Sequence, residues 1–144
     1  MSAYAARTSV SPEKSRAEIE SVLKRYGADQ FAYALDSEKA IVGFRAKGRR
    51  VRFLLPLIPH KAKRPMGARA AQAWEEQAVR SAWRALVLSI KAKLQAVESG
   101  IVTFEEEFMA QLVSGSGRTL GEEILPQYQA QIENGKVGPL LLEM

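Results

Sequence analysis

Apolar positions mark out the elements of the chain. Ile19, Val22, Leu23 and Tyr26 recur at steps of three and four, which puts them on one side of a helix. Ser11-Pro12 supplies a hydroxyl cap with proline at the first helical position, and Gly27 supplies a left-handed stop. A helix is predicted over 12–26. Gln30 to Leu35 then switches to alternation, with Phe31, Tyr33 and Leu35 on one face. The polar loop Asp36-Ser37-Glu38-Lys39 would pair Leu35 with Ala40, Tyr33 with Val42 and Phe31 with Phe44. A two-residue turn at Lys47-Gly48 would set Phe44 opposite Val51 and Val42 opposite Phe53. Two independent turns thus produce one apolar face: Phe31, Tyr33, Leu35, Val42, Phe44, Val51 and Phe53.

Residues 56–70, PLIPHKAKRPMGARA, are punctuated by proline and longer than the usual connection, so they read as a loop. Val79, Trp83, Leu86, Ile90, Leu94 and Val97 form the seam of a helix over about 70–98. Beside the seam runs a stripe of small residues: Ala78, Ala82, Ala85, Ser89, Ala92 and Ala96. Thr103-Phe-Glu-Glu106 is a capping box that opens a helix from Phe104 to about Leu112. Ser114-Gly-Ser-Gly117 breaks the chain, and Thr119-Leu-Gly-Glu122 opens a further helix that contains Pro126. The predicted fold class is α+β: a three-stranded antiparallel meander packed on one face by helices, in the order α-β-β-β-α-α. A single domain over 1–144 is expected, with residues 1–10 as a flexible arm, 56–70 as a basic loop and 114–144 as a helical or irregular C-terminal segment.

The same register dictates the other sheet face. It places Arg45 directly across from Arg50, and Arg52 beside Gly43, with Ala32 and Ala34 alongside. Like charges opposed across a ladder cost a few tenths to about 1 kcal/mol. A fully wet face tolerates that cost, and so does a face that receives an anion. The small neighbours leave room for a ligand to approach.

Charge sharpens this picture. The chain carries 21 Lys and Arg against 16 Asp and Glu, a net +5. Residues 39–74 hold ten of the basic residues and no acid, and without them the remainder is 11 basic against 16 acidic. The protein is therefore moderately basic through one concentrated cationic element set in an otherwise acidic chain, and residues 98–144 hold eight acids and two basics. Candidate phosphate contacts are Arg45, Lys47, Arg49, Arg50 and Arg52 from the hairpin, with Lys61, Lys63, Arg64 and Arg69 from the loop. Trp74, at the mouth of the long helix beside that loop, is the candidate for base stacking, whereas Trp83 lies in the seam and reads as core. Three readings stay open: nucleic acid, an acidic protein surface, or a solvated, solubilising face. The one-signed, acid-free cluster favours the first.

Other chemistry is thinner. Cysteine is absent, which removes disulfides, thiolate metal sites and thiol nucleophiles together. His60 is the sole histidine and has no second His or Cys for a metal site. Glu105, Glu106 and Glu107 suit a helix N-terminus better than a divalent cation. Gly115, Gly117 and Gly121 lack the strand and lysine of a phosphate-binding loop. No catalytic motif, metal or cofactor is expected. No apolar run approaches the roughly 20 residues that span a bilayer, and the first residues lack the apolar core of a signal peptide. No membrane partner and a cytoplasmic location are the expectation.

Three segments, SAYAARTSVSPEKSRAEIESVLKRYGA, GRRVRFLLPL and WRALVLSIKAKLQAVESGIVTFEEEF, resemble a family of small proteins encoded by phages and prophages. The resemblance spans most of the chain and carries over no catalytic or binding residue. It implies a phage gene product acting in a bacterial host cytoplasm, on nucleic acid or on host machinery. Three strands followed by a long helix also resemble the core of single-strand annealing proteins, at the level of fold alone. The expected function is a non-enzymatic accessory protein binding single-stranded DNA in replication or recombination. The alternative is a protein-binding inhibitor of a host enzyme or defence complex, of anti-CRISPR or anti-restriction type. Sheet edges and the alanine stripe point to a homo-oligomer.

Overall fold

A computed structural model describes residues 3–59 and 63–142. The protein is α+β. Its elements run α1 (Ala3–Ala6), α2 (Pro12–Tyr26), β1 (Ala28–Leu35), β2 (Lys39–Ala46), β3 (Arg49–Pro56), α3 (Ala68–Glu98), α4 (Phe104–Phe108) and α5 (Leu120–Glu133), with a 3₁₀ turn at Met109–Gln111. Helix α2 has the predicted bounds: the Ser11 hydroxyl accepts from the Lys14 N–H at 3.2 Å, and Gly27 ends the helix at φ 111°. Lys47 and Gly48 both adopt positive φ, 53° and 79°, as a two-residue hairpin turn requires.

The sheet has strand order β1-β2-β3, all antiparallel, in the predicted register. Its inner face packs on α3. Val42, Phe44, Val51 and Phe53 are buried with Trp83, Leu86, Ile90 and Leu94 of the α3 seam. Phe108 is fully buried and meets the rings of Phe44, Phe53 and Phe104 at centroid distances of 6.0, 6.3 and 4.6 Å. The β1 part of the apolar face is less covered than alternation predicts: Tyr33 is 46% and Leu35 52% exposed. The helices centre on β2 and β3, and β1 lies at the rim.

Three segments depart from the sequence reading. Residues 3–10, expected as a loose arm, are docked: Ala5 is buried, the Gln77 amide donates to the carbonyls of Ala6 and Thr8, and the Ser81 hydroxyl donates to Ala6. The helix expected from Phe104 to Leu112 ends at Phe108, because Leu112 turns extended and bridges Val51 at the β3 edge. The Val113 N–H then donates to the Arg50 carbonyl at 2.8 Å. In α5, Pro126 removes the N–H that would have served the Glu122 carbonyl, and the Arg118 guanidinium donates to it instead at 3.0 Å.

Candidate nucleic-acid interface

The outer sheet face is graded along its strands. At the turn end, Gln30, Arg45 and Arg50 form one cross-strand row, and Ala32, Gly43 and Arg52 form the next. At the far end the row is apolar: Ala34, Ile41 and Leu54. A shallow groove of about 600 Å³ runs across the face, with Ala32, Ala34, Ile41 and Gly43 along it and Arg45, Arg50 and Arg52 at one end. The directly opposed pair Arg45 and Arg50 is as predicted. The small residues keep the backbone of the sheet accessible from that side.

The arginines differ in how they are held. Arg45 makes a bidentate pair with Asp29, at 2.9 and 2.8 Å. That contact holds the Asp29 carboxyl below its usual range, through the hydrogen bond from Arg45 foremost. Asp29 is the extra residue of a bulge, where the register shifts between Ala28 and Gln30, and the bulge aims it at Arg45. Arg52 donates to the Gly117 carbonyl at 2.8 Å. Arg50 has no acidic partner among the described residues. Lys39, at the far end of β2, is exposed and shares the face by alternation.

The other predicted cations lie elsewhere. Arg49 alternates to the helix side, where it pairs with Glu105. Lys47 places its ammonium 4.6 Å from the centroid of the Tyr26 ring. Beyond β3, Leu57 and Ile58 enter the core, so the chain leaves the sheet on the side of α3. Arg64 pairs with Glu75 of α3 and sits over the Trp74 ring at 5.7 Å. Trp74 itself is half-buried against the core. Lys63 and Arg69 are exposed nearby in sequence, and Lys61 and His60 lie outside the described residues. Arg50 and Pro56 mark opposite ends of β3, about 20 Å apart at the rise of a strand. One cationic stretch of sequence therefore becomes two separate patches.

The three glutamates at α4 are each engaged. Glu105 meets Arg49, Glu106 closes the capping box with Thr103, and Glu107 meets Lys93 at 3.1 Å. Among the described residues no group of three or more His, Cys, Asp or Glu is placed to hold a metal ion. No helix among them is long and apolar enough to cross a membrane. Sequence reasoning missed Asp29 and the Gly117 carbonyl as partners of the outer arginines. Nothing in residue spacing announces a bulge or a carbonyl 65 positions away. Lys39 was legible, since the alternation that picked out Arg45 also selects it.

No protein-family model matches the chain, and neither a curated protein nor a solved structure is significantly similar to it.

Proposed function

We propose that the protein is a non-enzymatic nucleic-acid-binding accessory protein. In the phage setting implied by the family resemblance, its ligand is single-stranded DNA in replication or recombination. The observation that carries this reading is the row of Arg45 against Arg50 with Arg52 two pairs along on the same face, at one end of an accessible groove. Guanidinium groups in such a row contact phosphate through charge-assisted, bidentate hydrogen bonds. Arg50 is the free donor. Arg45 and Arg52 reach a phosphate by exchanging Asp29 and the Gly117 carbonyl for it. No aromatic side chain lies in these cross-strand rows, so contact is with the sugar-phosphate backbone and independent of sequence.

Fluorescence anisotropy with single- and double-stranded DNA and RNA across a salt series tests this. Each phosphate on a single strand adds about −0.7 to the slope of log K against log salt, so three contacts give a slope near −2. Replacing Arg45, Arg50 and Arg52 together by alanine is expected to abolish that slope. A triple variant that binds as tightly as the parent would sink the proposal. A second reading, a protein-binding inhibitor of a host enzyme, is favoured by one observation: Ile124, Leu125, Tyr128 and Ile132 of α5 are each about half exposed. Failure to bind any oligonucleotide at low salt, with stoichiometric capture of one host protein after nuclease treatment, selects that reading.

A further inference from the structure

The two edges of the sheet are not alike. At β3 the edge is occupied where the strand begins, by Leu112 bridging Val51 and by the Val113 N–H on Arg50. At β1 the outer edge has no strand beside it among the described residues. The Asp36 N–H donates to the Lys39 carbonyl, so the alternation of an antiparallel ladder turns the N–H and C=O of Phe31, Tyr33 and Leu35 away from β2. Six residues from Gln30 to Leu35 contain no charge, proline or bulge, the devices by which an edge strand avoids pairing. Most side chains of β1 are exposed on both faces, Tyr33 and Leu35 among them.

We infer that β1 pairs antiparallel with β1 of a second copy, joining two three-stranded sheets into one six-stranded sheet about a twofold axis. A second copy fits this edge better than a foreign strand for three reasons. The β3 edge is occupied at its start and carries arginines, which disfavours head-to-tail growth and leaves the β1 edge to meet its own kind. A twofold through the middle of β1 keeps faces in register, bringing Phe31, Tyr33 and Leu35 against the same residues of the partner and covering apolar surface the helices leave bare. The charge beside the axis is balanced, since Arg16, which lies over the Tyr33 ring at 5.3 Å, is paired with Glu13. The inference stands apart from the nucleic-acid reading. Where both hold, the outer faces merge and the two arginine rows lie roughly 25–30 Å apart, from strand spacing and rise.

Sedimentation analysis of the full chain over 1–100 µM protein tests it, alongside Ala32→Lys and Leu35→Pro. Ala32 is exposed on the outer face, and lysine there sets like charges beside the axis. Proline at 35 removes an outward N–H and leaves the ladder to β2 intact. The parent is expected to be dimeric, with each substitution raising the dimer dissociation constant at least tenfold and circular dichroism unchanged. If Leu35→Pro fails to fold, Ala32→Lys carries the test. A monomeric parent overturns the inference. So does a dimer that survives folded Ala32→Lys, or one lost only on Leu125→Glu in α5. Because the chain has no cysteine, a single Cys at position 33 that forms a disulfide-linked dimer supports the axis directly.

Discussion

Glu18 is the residue on which the α2–α3 contact turns. Its carboxylate receives Arg84 at 3.0 Å and also meets Lys91, so one acid of α2 answers two cations of α3. The hydrogen bond from Lys91, opposed by burial and reinforced by that from Arg84, holds the Glu18 carboxyl below its ordinary value. A depressed carboxylate contributes stability that is fully present above its unfolded pKa, about 4.5, and is lost as pH falls through the folded value. Glu18→Gln is expected to lower stability at pH 7 by about 1–2 kcal/mol, between the exposed and buried limits for an ion pair. Melting curves from pH 7 down to pH 3 check this, because the gap between parent and variant should close below pH 4.5. Stability of the variant that tracks the parent at every pH would remove Glu18 from this role.

At the scale of elements, the hairpins and caps were legible because each rests on local rules. Alternation fixed which side of β2 faces α3, and Ser11, Gly27 and Thr103 marked helix ends through single hydrogen bonds or a single backbone angle. What escaped was long-range. The 3₁₀ turn and the extended Leu112 exist because β3 offers an edge, and no spacing within residues 104–119 encodes that edge. The burial of Leu57 and Ile58 escaped for the same reason: both look like loop until the core claims them. The outer arginines were placed correctly by register, yet their partners Asp29 and Gly117 came from a bulge and a distant turn. Phe108 joins these elements, touching Phe44 of β2, Phe53 of β3 and Phe104 within α4. Phe108→Ala is expected to cost about 3–5 kcal/mol, with chemical denaturation as the measurement. A loss below 1 kcal/mol would show that α4 is an ornament on the sheet.

Taken whole, the molecule divides into a well-packed body and a lightly held appendage. The body is α1 to α4 with the sheet. The appendage is α5, of which only Gly121 is buried. A Cβ at that position would stand 2.8 Å from the Ala110 carbonyl oxygen, so the bare glycine is what lets α5 sit on the 3₁₀ turn. The remainder of α5 draws support from its own backbone, from the Thr119 cap, from the Ser114 and Ser116 hydroxyls donating to Glu123, and from Arg118 on the carbonyl that Pro126 leaves open. A helix of 14 residues is marginal in water on those terms. Its amides should therefore exchange with deuterium as a separate unit. Protection over Ile124–Glu133 is expected to be lost within seconds, while that of β2 and the α3 seam persists towards the limit set by global unfolding. In free protein, uniform protection across both would mean that a contact outside the single folded chain holds α5 in place.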